Sequence, residues 1–288
     1  MSDNQKFNFK KKYVVLSLLL YYVILCQSCV TMRTSNKEAK EFFKIANTKF
    51  IDNTFIIEDH SLHYIQTGDN DNPTLLFVHG SPGSWDAYRD YLIDSLLLTK
   101  YRIISIDRPG FGYSDFGEAQ NLKVQSRIIN LFVKTIDNQK PVVLIGHSFG
   151  GPVVVKMASD SPNYYQQTII LAGALDPDAE KPEKWRWLIM NKPLRYFIPG
   201  AMRTANDELW WLKRDLSDLR SGLKKVTGNI TIIHGTEDNL VPYSNVPFME
   251  KEFYNAKSVN VITIKNGNHF IPWEHFELVR NTLYDLKF

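Results

Sequence analysis

The chain has 288 residues, 44% of them hydrophobic and 23% charged, an ordinary composition for one large globular domain or two modest ones. Its 15 Gly, 13 Pro and 2 Cys exclude a collagen, a low-complexity protein, a disulfide scaffold and a cysteine-based zinc site. The formal charge of +3 also excludes a strongly basic nucleic-acid binder: residues 1–28 hold four lysines and one aspartate, and the remainder holds 30 basic and 30 acidic residues.

Lys10, Lys11 and Lys12 precede an apolar run, Tyr13–Leu25. A basic start and an apolar stretch this short read as a secretory signal rather than a full membrane span. Cys26-Gln27-Ser28-Cys29 follows. A small residue directly before a cysteine resembles the cleavage site of bacterial lipoproteins. That resemblance implies a signal peptide over 1–28 and a lipid, palmitate included, on Cys29. The position three before that cysteine is usually leucine and here is Cys26. The alternative is an uncleaved anchor, because residues 13–32 carry no formal charge. On either route the expected location is a bacterial cell envelope, membrane-anchored and facing the periplasm or cell surface. Both cysteines fall in this segment, so the mature domain has no disulfide to form. Residues 29–52 read as a tether with a lead-in helix over 37–44.

From residue 53 the pattern changes. Residues 54–58 and 61–67 are rich in β-branched and aromatic side chains and flank an Asp59-His60 turn, a hairpin. Residues 74–78, 102–106 and 141–145 are near-continuous apolar runs, which suit parallel strands buried on both faces. Strands over 168–171, 230–233 and 259–264 complete eight. Helix-length stretches over 84–98, 121–137, 245–254 and 273–286 separate them. Two antiparallel strands followed by β-α repeats predict an α/β fold, with a mostly parallel eight-stranded sheet flanked by helices. Residues 176–222 hold no strand pattern and many aromatics, and they read as a short helical cap. Within it Asn206–Leu219 is amphipathic. Inward aromatics there, Trp185, Trp210 and Trp211, are candidates for contact with substrate.

The turns carry the chemistry. Gly146-His147-Ser148-Phe149-Gly150 follows a buried strand and opens a helix, the context in which G-x-S-x-G is a nucleophile elbow. A serine hydroxyl needs a base to take its proton and a carboxylate to orient that base. His234-Gly235-Thr236-Glu237-Asp238 and Gly267-Asn268-His269 follow later strands, at the strand ends where open α/β sheets place their sites.

With His79-Gly80-Ser81-Pro82-Gly83 and the run Asp107–Ser114 added, these segments resemble the α/β-hydrolase superfamily from about residue 53 to the C-terminus. The resemblance implies Ser148 as nucleophile, His269 as base and Asp238 as triad acid. It also implies an oxyanion hole from the backbone N–H groups of Phe149 and Ser81. Asp176 is the rival acid. His275 reads as a solvated or capping residue, His79 and His147 as structural neighbours of the site, and His60 and His63 as surface or packing residues. Asp107 and Arg108 read as holding loops together, with Arg108 able to touch substrate. No metal and no cofactor are expected, because no histidine pair has ligand spacing and no phosphate loop is present.

The expected reaction is hydrolysis of a small-molecule ester or amide through an acyl-enzyme, ester first. The serine excludes the haloalkane dehalogenases and epoxide hydrolases that use an aspartate nucleophile. A proline-iminopeptidase-like peptidase is an alternative, since that family's His-Gly-Gly-Pro-Gly differs from residues 79–83 at one position. Against it, Asp107-Arg108-Pro109-Gly110 stands where that family has Asp-Gln-Arg-Gly. A C–C bond hydrolase, an acyltransferase and a non-catalytic surface binding protein are the other readings. The last is disfavoured because all three triad side chains are present.

Overall fold

The computed structural model describes residues 3–288, and the side chains of residues 11–26 and 29–288. The basic Lys6 and Lys10 side chains of the expected signal, and Gln27 and Ser28 before the expected cleavage point, lie outside the described side chains.

One sheet of eight strands runs in the order β1-β2-β4-β3-β5-β6-β7-β8. β1 (Phe50–Ile57) and β2 (His60–Thr67) form the hairpin, and β2 pairs antiparallel with β4 (Arg102–Ile106). β3 (Thr74–Val78), β5 (Val142–His147), β6 (Gln167–Leu171), β7 (Asn229–Gly235) and β8 (Ser258–Ile264) continue in parallel. β3 to β6 are buried at every residue, which is why they show no apolar alternation in the sequence. Val78 lies opposite Gly146 and His147 opposite Leu171, so the loops leaving β3, β5 and β6 meet at one edge.

Alternate strand residues feed two cores. Leu76 and Val78 join residues of α5 (Leu122–Thr135), α6 (Gly150–Asp160), α8 (Gly200–Leu223) and α9 (Asn245–Glu252) on one face. Leu75 and Phe77 join α2 (Asn36–Ile45), α3 (Arg89–Leu92), α4 (Ser95–Leu98) and α11 (Phe276–Tyr284) on the other. The lead-in helix α2 starts at a capping box, Ser35 with Glu38, and buries Ala39 and Phe43 four residues apart.

Several boundaries differ from the sequence reading. β1 begins at Phe50 because Phe50–Asn53 find partners in Thr67–Tyr64, and the turn falls at Glu58-Asp59. The stretch 84–98 breaks into a 3₁₀ turn (Trp85–Tyr88), α3 and α4. The last helical region divides at His275 into α10 (Ile271–Glu274) and α11.

The cap lies between β6 and β7. It holds α7 (Trp185–Met190), a 3₁₀ turn (Leu194–Phe197) and α8, which is longer than the amphipathic stretch seen in the sequence. The N-terminal helix α1 (Asp3–Ser28) ends against this cap. Cys26 is only 3% exposed, and its Sγ donates to the Phe197 carbonyl at 3.4 Å. Tyr22 donates to the same carbonyl at 3.3 Å and stacks on the Phe197 ring. Earlier apolar residues of α1, such as Val15, Leu18 and Leu20, are exposed. Among the described residues no helix is long and apolar enough to cross a membrane. Cys29 is exposed and is in no disulfide. The tether then enters the fold: Val30 accepts from Ala201 N–H at 2.8 Å, and Arg33 donates to Gly112 O at 2.6 Å and stacks on Tyr113 and Phe116.

Candidate active site

Ser148 sits on the sharp turn between β5 and α6 with φ +54. A left-handed conformation costs a non-glycine residue about 1–3 kcal/mol, and surrounding structure must hold it there. Its N–H donates to Leu171 O at 3.0 Å, and its carbonyl accepts from Gly151 N–H at 3.0 Å. The flanking glycines are forced by close approach. A Cβ on Gly146 would stand 2.3 Å from Gly150 O, and one on Gly150 would stand 2.1 Å from Val78 O. No side chain fits either position.

Asp238 is buried after β7. One carboxylate oxygen accepts from Leu240 N–H at 2.9 Å and Val241 N–H at 2.8 Å, and the other accepts from His269 Nδ1 at 2.7 Å. Burial pushes the Asp238 carboxyl up, but these hydrogen bonds outweigh it and hold the group below the usual carboxylate range. A proton on Nδ1 leaves His269 Nε2 free to act as a base. Ser148 and His269 line the same cavity, of about 910 Å³. His147 donates from Nε2 to the His269 carbonyl at 2.9 Å, and burial drives its pKa down to about 3, so it is a neutral brace. His234 braces the acid loop in the same way, donating to Val241 O at 2.9 Å. The rival Asp176 accepts from its neighbour Asp178 N–H at 2.9 Å.

Ser81 and Phe149 also line the cavity, and among the described residues neither backbone N–H donates to a protein acceptor. Gly80 packs its backbone against the elbow, close enough that a Cβ there would stand 3.0 Å from Ser148 Cβ.

The expected substrate-contacting tryptophans are not brought together. Trp185, Trp210 and Trp211 do not line the cavity, whereas Leu209, Leu212 and Arg186 do. Leu209 and Leu212 are three residues apart on α8 and share its inward face. Trp210 and Trp211 are turned about 100° and 200° away from Leu209. Trp185 is 49% exposed at the start of α7. Met32 of the tether lines the cavity too, and nothing in its local sequence marks it for that role.

Asp107 and Arg108 do hold loops together, with partners that have no local signal in the sequence. His63 is buried between Asp107 (2.9 Å) and Asp52 (2.9 Å), one carboxylate on each ring nitrogen. Burial pushes its pKa down, but the two carboxylates outweigh it and raise it above the ordinary histidine value. It is therefore not a surface or plain packing residue. Arg108 does not reach the cavity, and its side chain forms a fully buried pair with Glu208 of α8. Glu208 precedes Leu212, Leu216 and Leu219 on the buried stripe of that helix, and an acid in an apolar register was the available signal.

A mostly parallel α/β sheet with a strained serine at the strand-to-helix turn is the architecture of an α/β-hydrolase. A family model described as alpha/beta hydrolase fold matches residues 73–196. The chain has the α/β-hydrolase fold. It is 32% identical over 111 residues to epoxide hydrolase 1 of Caenorhabditis elegans, a match covering 38% of this chain and 27% of that protein. It is 23% identical over 240 residues to the pimeloyl acyl-carrier-protein methyl ester esterase of Nitrosomonas europaea, covering 69% and 90%. The crystal structure of a membrane phospholipase A, described as a bacterial virulence factor, superposes with TM-score 0.63 at 17% identity, covering 99% of this chain and all of that one. The chain spans about half the length of other curated relatives it matches.

Proposed function

We propose that the protein is a serine hydrolase that cleaves carboxylic esters through an acyl-enzyme. The observation that carries this reading is the strained Ser148 in the wall of a cavity that His269, bonded to Asp238, also lines. Ser148 Oγ attacks the ester carbonyl as His269 Nε2 takes its proton. The oxyanion is received by the N–H groups of Ser81 and Phe149. The alcohol leaves with the proton from His269, and water then releases the acid by the same route. A fluorophosphonate probe tests this: labelling lost in Ser148→Ala supports it, and an unlabelled wild-type protein refutes it.

Epoxide opening is the competing activity suggested by relatives' names. Attack by a serine on an epoxide carbon would leave an ether, with no carbonyl for water to attack, so turnover would stop. A lipid-like acyl ester is favoured within the ester class. Support comes from the apolar cavity wall of Met32, Leu209, Leu212 and Trp273, and from the likeness to a protein described as a membrane phospholipase A. A p-nitrophenyl ester panel from acetate to palmitate, with amino-acyl arylamides alongside, separates ester from peptide preference.

Membrane attachment through the N-terminal segment belongs to the same reading, supported by the basic lysines and the exposed apolar residues of α1. Fatty-acid-analogue labelling abolished by Cys29→Ala supports a lipid, and membrane retention without label supports a kept helix. Full recovery in the soluble fraction refutes both.

A further inference from the structure

Arg108 follows β4 and its side chain is fully buried. All five of its guanidinium N–H groups are used. Nε donates to His79 O at 2.8 Å and Nη2 to Gly80 O at 2.9 Å. Both Nη atoms reach Glu208 at 2.8 Å in a bidentate pair, and Nη1 also donates to Gln125 Oε1 at 2.7 Å. Gln125 closes the cluster by donating to Glu208 Oε2 at 3.1 Å. The guanidinium lies 4.7 Å from the Phe149 ring centroid.

The peptide between Gly80 and Ser81 is trans, so the Gly80 carbonyl and the Ser81 N–H point in opposite directions. Two donors hold that carbonyl: Arg108 Nη2, and His79 Nδ1 at 2.7 Å. His79 Nε2 accepts from Arg108 N–H at 2.9 Å, which leaves the proton on Nδ1. Pinning the carbonyl fixes the plane of that peptide and with it the direction of the Ser81 N–H. Stability alone does not call for such a pair, since packed apolar residues commonly replace a buried ion pair without loss.

We propose that Glu208 of the cap, acting through Arg108, sets the orientation of the Ser81 N–H, so that Arg108 and Glu208 are positioning residues of the oxyanion hole. The proposal rests on the assignment of Ser81 and Phe149 as oxyanion donors. It makes the cap a determinant of transition-state stabilisation as well as of substrate fit, because a shift of α8 moves the peptide that meets the oxyanion.

The test uses the full chain and the variants Glu208→Gln and Gln125→Met. It measures kcat and KM on p-nitrophenyl butyrate, the inhibition constant of phenylboronic acid, whose adduct on Ser148 places an oxygen in the hole, and the thermal midpoint. Glu208→Gln is expected to lower kcat by about 10- to 100-fold, as small misplacements of catalytic groups do, and to weaken the boronate by a similar factor, with KM nearly unchanged. Gln125→Met removes an uncharged member of the cluster and leaves Arg108 and Glu208 paired with each other, so it carries the test if Glu208→Gln folds poorly; its kcat and boronate affinity are expected to fall by about 3- to 10-fold. A folded variant with parental kcat and boronate affinity, or a change confined to KM, overturns the proposal. A wild-type protein that neither hydrolyses esters nor takes a fluorophosphonate overturns the assignment of Ser148, and this proposal with it.

Discussion

Asp238→Asn isolates the acid from the rest of the site. The aspartate accepts three hydrogen bonds, two from backbone N–H groups and one from His269. An asparagine can keep its carbonyl oxygen on Leu240 and Val241, so the acid loop keeps its hydrogen bonds and loses only their charge assistance, a structural cost of about 1 kcal/mol. The amide nitrogen then faces His269 Nδ1 and donates to it. His269 is forced into the tautomer with the proton on Nε2, where it cannot accept the Ser148 proton. A wrong tautomer of this kind costs about 10⁴-fold in kcat in a serine triad, which corresponds to about 5.5 kcal/mol of barrier. The assay is ester turnover at pH 7–8 beside a thermal melt, with Asp176→Ala as comparator. Turnover within about tenfold of wild type in a folded Asp238→Asn protein, or a large loss in Asp176→Ala, would refute the assignment.

Ser148→Gly removes the nucleophile and the left-handed strain together; it should be inactive yet melt about 2–4 °C higher, for a gain near 1 kcal/mol. Gly150→Ala drives a Cβ into Val78 O and should lower both expression and melting temperature, whereas Gly117→Ala, with nothing within 4 Å of the new Cβ, should cost only its backbone strain. The raised pKa of His63 means that its two carboxylates favour the charged form in the folded state. The stability it adds is full below the unfolded histidine pKa, about 6.5, and fades as pH rises through the higher folded value. Asp52→Asn should flatten that part of a urea-stability curve measured from pH 5 to 9, and an unchanged slope would show that His63 is not the titrating group.

The residues that state the chemistry were legible because the chemistry is local. The elbow needs small residues at 146 and 150 within one turn, so Ser148 announces itself. Asp238 and His269 each follow a strand directly, and strand ends were readable from apolar runs. Trp185, Trp210 and Trp211 lie off the cavity wall for a physical reason: aromatic content signals burial or contact, but which side of α8 faces the cavity depends on how that helix sits on the sheet. His63 looked like a hairpin residue because neither carboxylate that traps it is close in sequence. Asp52 lies eleven positions away and Asp107 forty-four.

The sequence by itself determined the sheet and the residue types of the candidate site, since each depends on periodicity or on a turn a few residues long. Tertiary structure alone decided which residues line the cavity, that the N-terminal helix ends against the cap, and that Arg108 joins the cap to the loop behind Ser148. Those contacts bridge residues far apart in the chain. Arg108 and Glu208 are 100 positions apart and meet at 2.8 Å. A buried charge has no local pattern that names its partner; only the packing of α8 over the sheet edge brings the two together and makes their burial tolerable.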